Sequence, residues 1–359
     1  MLLGVGFSLT LIGGVPLVYL RDPALVSQLL VDGADTNTRC RRDGQGPLAT
    51  SSRIVQIVLT TSEGDITRKW HADFIRGFHN RPAMESTHPK LVAIAKDHIQ
   101  NLKRIQTGDD IQLLLRDYAM DMVWCLALGL KHASQYTSAK SWMELFDEYV
   151  QHAASISYPF WHMMANVLTG HDIAAPDRHE KALSKRIHAA VLQLLEEKSY
   201  MLNPEAAGSP GEMNFLQRIS FQTGRTSSQP ITPRVLSHAK QIFSYGFPAP
   251  TMLLVWSLRE LSLRPEIKEK LRWEIEKSGW YERQEYQVLA HLPYLNAVIN
   301  ELLRLYPPVL TTARAIDCPI ELTMESNTSA ILPVHTRVVV SCDMLHRDTL
   351  IWGSDAAEF

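Results

Sequence analysis

Glu301-Leu302-Leu303-Arg304, followed by Leu305 and then Tyr306-Pro307-Pro308-Val309, is the stretch on which the fold turns. Glu301 and Arg304 stand three positions apart, so on a helix their side chains share a face and can pair. The frame around them is apolar. Leu292-Pro293-Tyr294-Leu295 opens the helix, Leu302, Leu303 and Leu305 line it, and the two prolines stop it. A charged pair amid so many leucines is expected to be partly buried, and a buried pair must be fully partnered or it costs stability. Such pairs also occur on ordinary surface helices; the segments C-terminal to this one set it apart. Arg314 comes next, after Val309-Leu310-Thr311-Thr312-Ala313. Short β runs stand at Ile320–Thr323 and Thr336–Ser341, then His346-Arg347-Asp348 and Ile351-Trp352-Gly353-Ser354-Asp355-Ala356-Ala357-Glu358-Phe359.

Working back from that stretch, helical periodicity dominates. Apolar residues at Leu91, Ile94, Ala95, Ile99 and Leu102 form a one-sided stripe between Pro89 and Ile105. Asp110 to Leu130 is more apolar and reads as an interior helix, and Ala139–Val167 and Asp177–Lys198 continue the pattern. Residues 203–233 are rich in Pro, Gly, Ser and Thr and read as a mobile loop around a short helix. A long helical run from Pro233 to Leu263 comes after it, then an amphipathic helix from Pro265 to Ser278. No internal repeat is visible. The coarse expectation is a mainly α chain with small β-sheets at both ends, an α+β arrangement forming a single domain over 1–359.

Hydrophobic residues make up 45% of the 359, enough to build a packed core and too many for a disordered chain. A net charge of −2 leaves no electrostatic footprint for nucleic acid. Cys40, Cys125, Cys318 and Cys342 are widely separated and lack CxxC spacing, which argues against a disulfide framework and against a zinc site. Residues 1–23 read in two ways. Met1–Leu20 is uncharged and apolar, as in a weak signal anchor. Gly13-Gly14 between the β-rich runs Phe7–Ile12 and Val15–Leu20 favours a β-hairpin.

In order and spacing, the segments from Glu301 to Phe359 resemble the C-terminal half of the cytochrome P450 superfamily, and the resemblance extends in order over nearly the whole chain. Its apolar, tryptophan-bearing distal region and variable middle look most like fungal secondary-metabolite members. The resemblance implies a haem cofactor, a small lipophilic substrate, a redox-partner reductase and membrane association at the endoplasmic reticulum. It further implies that the fold is incomplete at the C-terminus and at the N-terminus. The family's Phe-x-x-Gly-x-Arg-x-Cys loop, which carries the iron's thiolate, does not occur in residues 1–359, and the frame of none of the four cysteines matches it.

The site residues come from the same resemblance. Glu301 and Arg304 correspond to the structural Glu-x-x-Arg pair of the haem-side core. Arg314 corresponds to an arginine that binds a haem propionate, which suits a forked guanidinium. Trp70, in Arg68-Lys69-Trp70-His71-Ala72-Asp73-Phe74, is the second propionate candidate, although Phe74 stands where the family has an arginine. The distal helix of the family, with its small-Gly-x-acid-Thr pattern, corresponds to Phe243 through Thr251. Gly246 matches; Pro248 replaces the acid and Ala249 the threonine, leaving Thr251 as the nearest hydroxyl. Proline and alanine have no proton to relay. Two readings stay open there: a kinked groove with an unusual or substrate-assisted proton supply, or a degenerate helix. His346 is read as a structural turn histidine, so no metal-ligating set is expected.

Two functions compete accordingly. One is a haem-thiolate monooxygenase oxidising small lipophilic secondary metabolites, whose thiolate segment lies outside these residues. The other is a truncated, catalytically inactive helical protein that acts through a binding partner.

Overall fold

A computed structural model describes residues 2–3, 7–12, 15–30, 40–42, 55, 64–78, 80–131, 137–155, 178–207, 209–224, 229–324 and 329–359. They fall into two compact units: 1–68, 149–183 and 309–358 in the first, and 69–148, 184–308 and 359 in the second.

The first unit is built on a six-stranded sheet. Its strands are β1 (Leu2–Leu3), β2 (Phe7–Ile12), β3 (Val15–Leu20), β4 (Cys40–Arg42), β5 (Thr311–Ile316) and, after a separate pair β6 (Ile320–Thr323) and β7 (Ser329–Leu332), β8 (Arg337–Ser341). The spatial order is β1-β2-β3-β8-β5-β4. β2 and β3 pair antiparallel in the register of a hairpin, with Ile12 opposite Val15. β3 then runs parallel to β8, with Val18 opposite Val338 and Leu20 opposite Val340. Side chains alternate along a strand, and the inward set Val18, Leu20, Val338 and Val340 packs with Leu25, Leu29, Ile316, Ile320, Leu322 and Leu332. Leu25 and Leu29 are four apart on α1 (Pro23–Leu30), one turn, so a single helical face covers this core. α1 is also hydrogen-bonded to β6. The Gln28 amide donates to Thr323 O at 2.8 Å and accepts from Thr323 N at 2.9 Å. Ser341 ends the sheet by capping the short helix Cys342–His346, which Cys342 opens.

The second unit is helical. In chain order its helices are α2 (Gly64–Phe78, starting in the first unit), α3 (Arg81–Leu102), α4 (Ile111–Leu128), α5 (Thr137–Ser155, ending in the first), α6 (Arg178–Glu197, starting in the first), α7 (Phe215–Gln222), α8 (Pro233–Tyr245), α9 (Pro248–Leu263), α10 (Pro265–Lys277) and, after two short turns, α11 (Pro293–Leu305). α4 is the central rod: Leu115, Ala119, Met120, Val123, Trp124, Cys125, Ala127 and Leu128 are buried along it. It packs against α3, α7, α8 and α9.

Two boundaries differ from the sequence expectation for identifiable reasons. α3 starts at Arg81, eight residues before Pro89, because Asn80 caps it by accepting from Ala83 N. Pro89 is tolerated inside it. Among its described residues the run 203–233 contains two 3₁₀ turns, Pro204–Ala206 and Pro210–Glu212, and α7, and α7 opens with a capping box between Asn214 and Gln217. Asn214 and Gln217 also donate to Met201 O and Asn203 O, at 2.9 and 3.0 Å, tying this helix to the turns before it.

Gly77 marks the closest approach of α2 to α7. A Cβ there would lie 2.5 Å from the Phe215 ring, which is itself fully packed. Gly77→Ala is expected to destabilise the protein by about 1–3 kcal/mol through overpacking. Urea unfolding of the variant checks this, and no loss would mean that the ring moves aside freely.

Candidate functional site

The long run from Pro233 to Leu263 is two helices in the structure, and the chemistry of proline divides them. Thr232 caps α8 by accepting from Val235 N at 3.3 Å, and α8 continues until Gly246 N donates to Ile242 O at 2.9 Å. Pro248 and Pro250 lack N–H groups, so the carbonyls of Ser244 and Gly246 receive no donor from four residues on. Thr251 resumes the ladder with a bond from its N to Phe247 O at 3.0 Å. Its side chain is buried, and Oγ1 donates to that same carbonyl at 2.8 Å. The hydroxyl read as the nearest proton source is therefore engaged by the helix itself. Ala249 is half-buried and offers no donor. Gly246 has a packing role: a Cβ there would press on Ile242 O and lie 3.1 Å from both Val123 methyls of α4.

An aromatic wall surrounds this break. Phe243 stacks on Trp124 of α4, with centroids 4.9 Å apart, and lies 6.3 Å from Trp142 of α5. Phe247 meets Phe146 edge-on at 4.9 Å. Ser244, between those two phenylalanines, is fully buried and its Oγ has no hydrogen-bond partner. Sequence reading passed over Ser244. The available signal was its place seven residues, close to two full turns, before Thr251.

Trp70 lies on α2, half-buried, with its ring 5.4 Å from that of His238 on α8. Phe74, in the family's arginine position, packs on Phe78 and Phe215 at 4.7 and 5.3 Å. Between them sits Asp73, with no exposure, paired with Arg234 and, at 3.2 Å, with Arg76. Its Oδ2 is 4.0 Å from His238 Nε2. His238 is completely buried with both ring nitrogens unbonded. Burial drives its pKa down to about 4; the carboxylate of Asp73 opposes the shift and the charge of Arg234 adds to it.

Arg314 belongs to the first unit, on β5. Its Nη1 donates to Thr312 Oγ1 at 3.2 Å and to Ala313 O at 2.9 Å. Both partners are neutral, so among the described residues no carboxylate compensates this guanidinium. An uncompensated guanidinium and an indole N–H donor are groups that fit the propionates of a haem. Cys125 and Cys342 are poorly suited to an iron ligand, because burial raises the pKa of each thiol whereas a metal ligand must be a thiolate. Among the described residues no cluster of His, Cys, Asp and Glu could hold a metal ion, and His346 belongs to none.

Glu301 and Arg304 make a bidentate pair on α11. Arg304 Nε and Nη2 donate to the two carboxylate oxygens at 2.8 and 2.6 Å, and the arginine is 7% exposed. The start of α11 is held from outside: Glu274 of α10 accepts from Tyr294 N and Leu295 N, both at 2.8 Å. Beyond its end, Tyr306 stacks on Trp256 of α9, with centroids 4.1 Å apart and planes inclined by 5°. The Tyr306 hydroxyl donates to Glu260, which is 1% exposed and also binds Arg259 and Arg264. Burial would raise the Glu260 pKa, but the hydrogen bonds from Tyr306 and Arg259 and the two guanidinium charges prevail and lower it. This junction was not legible from sequence, because Glu260 and Tyr306 are 46 residues apart.

The comparisons with known proteins agree on one family. The family model described as Cytochrome P450 matches residues 7–359. Secologanin synthase 1 of Catharanthus roseus is 23% identical over 98% of this chain, and Cytochrome P450 72A397 of Kalopanax septemlobus is 22% identical over 97%. The chain spans 66% and 65% of the lengths of these two relatives. Both are plant proteins, so the expected fungal affinity finds no support here. Among solved structures, a zebrafish cytochrome P450 determined with abiraterone aligns with a TM-score of 0.73, covering 98% of this chain and 78% of that one at 17% identity, a likeness of fold.

Two outcomes are expected of the buried ionisable groups. Tyr306→Phe keeps the stack on Trp256 and removes one donor from Glu260, so a loss of about 1–2 kcal/mol is expected in a thermal melt; unchanged stability would show that Glu260 does not need that donor. His238 has its pKa depressed by folding, so between about 6.5 and about 4 the unfolded chain binds a proton that the folded chain refuses. Stability is therefore complete above about pH 6.5 and declines as pH falls toward 4. His238→Phe should remove roughly 2 kcal/mol of the stability lost between pH 7 and pH 5, read from urea unfolding at the two pH values.

Proposed function

Because this chain belongs to the cytochrome P450 family, we propose that it forms part of a haem-dependent monooxygenase that oxidises a small lipophilic secondary metabolite. A reductase partner would supply the electrons. The observation that carries this reading is the family match across residues 7–359, and the chain's likeness to secologanin synthase 1 supports the choice of substrate class. When bound, haem supplies the activation of molecular oxygen.

The chain's own residues have separable tasks in this reading. Arg314, whose described partners are neutral, is suited to a propionate carboxylate, and the indole N–H of Trp70 is by its own chemistry a separate candidate donor to one. The Glu301–Arg304 pair fixes α11, and the Trp256–Tyr306–Glu260 junction ties its end to α9. The aromatic residues around Phe243 and Phe247 exclude water from the break between α8 and α9. Gly246 brings that break close to α4. Thr251 holds its proton on Phe247 O, and Pro248 and Ala249 have none to give, so proton delivery falls to water or to the substrate.

The membrane association of the reading has no spanning helix behind it: among the described residues none is long and apolar enough to cross a bilayer. A second reading, a helical protein without oxygenase activity that works through a partner, is favoured by one observation, the absence of an acid–threonine pair at Pro248 and Ala249.

Haem titration separates the parts of this proposal. Arg314→Ala is expected to weaken haem binding by about tenfold or more, the worth of one charge-assisted hydrogen bond. Equal affinity in wild type and variant would remove Arg314 from the site. Incubation of a haem-loaded protein that includes the thiolate-bearing segment with a reductase and a panel of lipophilic plant metabolites should yield products heavier by one oxygen atom. Electron consumption without any such product would favour the second reading.

A further inference from the structure

A cavity of about 590 Å³ lies in the helical unit, lined by the end of α2, the start of α3 and the short helix Tyr286–Ala290. Its lining includes none of Trp70, Arg314, Gly246 or Thr251, so the oxidation reading gives it no task. The volume is in the range of small-molecule sites, which are concave and mostly apolar. Phe74, Phe78, Met84 and Tyr286 are half-buried in its walls, whereas Arg81 and His291 are exposed at its rim.

The walls are held from behind. Phe215, fully packed, lies 5.3 Å from the Phe74 ring and 4.6 Å from the Phe78 ring. His88 meets Tyr286 edge-on at 5.9 Å. Two bridges fasten the segment of the short helix to α3. Glu85 accepts from Arg81 Nε, at 2.9 Å, and from the Gln287 amide. Lys96 donates to Gln284 Oε1 at 3.1 Å. A cavity whose walls are already fixed spares an occupant the cost of ordering them.

The lining chemistry limits what fits. Three aromatic rings and a thioether favour an aromatic body, through offset, edge and sulfur–ring contacts. Hydrogen bonds from Arg81 and Gln287 hold the Glu85 carboxyl below its ordinary range, so its charge offsets that of Arg81 and the rim favours no ion. His291 adds a directional requirement. Its Nδ1 lies 2.7 Å from Gln287 O. A carbonyl only accepts, so Nδ1 carries the proton, and the polar edge of the neutral ring left for an occupant is Nε2, an acceptor. Arg81 has N–H donors beyond the one given to Glu85. A phenolic hydroxyl can donate to His291 and accept from Arg81, on the flat apolar body that the walls suit.

We propose that this cavity is a binding site for a neutral phenol with a fused aromatic body. The site goes beyond the oxidation reading and does not rest on it, because binding there requires no haem.

The test titrates the full chain without haem, by calorimetry, with 2-naphthol, 2-methoxynaphthalene, 2-naphthoate and decahydro-2-naphthol. 2-Naphthol should bind about tenfold more tightly than 2-methoxynaphthalene, which has no hydrogen to donate. It should bind about fivefold more tightly than decahydro-2-naphthol, which keeps the hydroxyl and loses the ring contacts, and more tightly than the anion 2-naphthoate. His291→Ala should bring 2-naphthol and 2-methoxynaphthalene to within about twofold. Ala290→Trp, at an exposed lining position, should fill the cavity and weaken every ligand about tenfold or more. Failure of 2-naphthol to bind, or binding no tighter than that of 2-methoxynaphthalene, overturns the proposal on wild type alone, even if both variants fail to fold. An Ala290→Trp protein that binds unchanged overturns the location, and a His291→Ala protein that keeps the preference overturns the part of His291. Tighter binding of 2-naphthoate overturns the neutral assignment, and equal binding of decahydro-2-naphthol overturns the aromatic one. Failure of haem to bind the same preparation counts against the oxidation reading alone.

Discussion

A proline nitrogen carries no hydrogen, and two of them within three residues decide how the helical run from Pro233 to Leu263 is built. Pro248 and Pro250 divide residues 233–263 into α8 and α9, and the surroundings of the break are arranged around that division. Gly246 lets the break lie against Val123 of α4. Phe243 and Phe247, on either side, are held by Trp124 and Phe146. Thr251 turns its hydroxyl inward to the carbonyl of Phe247 and so stabilises the first turn of the second helix. A continuous helix would leave these side chains in different places. The acid and threonine of the family pattern are absent at the same two positions that create and follow the break, so geometry and proton chemistry change together here.

The end of α11 is tied to α9 at the buried carboxylate of Glu260. Glu260 holds two guanidinium groups and a phenol, and its charge is compensated closely enough that burial does not neutralise it. Buried ion pairs are often no better than hydrophobic contacts for stability, but they are strict about partners and direction. The stack of Tyr306 on Trp256 adds an orientation that a hydrogen bond alone does not set. The Glu301–Arg304 pair on the preceding turns of α11 then has a fixed frame to act within.

Local patterns were the legible part of this protein. The strand Ile320–Thr323, the apolar helix ahead of Tyr306-Pro307-Pro308 and the three-residue spacing of Glu301 and Arg304 all obey short-range rules. The family is legible in the order of such segments. The features that escaped sequence reading depend on residues distant in the chain: Asp73 with Arg234, Trp70 with His238, and Glu260 with Tyr306. Nothing in a linear pattern says which charged residue will be buried or which acid will meet it. Ser244 escaped for another reason. A serine in a helix is unremarkable until its surroundings are seen to offer it nothing.

The start of α11 has a consequence for the order in which the chain folds. Leu292 supplies no side-chain cap, and the first amides of the helix are satisfied by Glu274, which comes from α10. Helix nucleation is costly, and a helix of this length without a local cap is marginal in isolation. α10 thus supplies the acceptor that the start of α11 lacks locally, and the two should open and close as one cooperative segment in amide exchange.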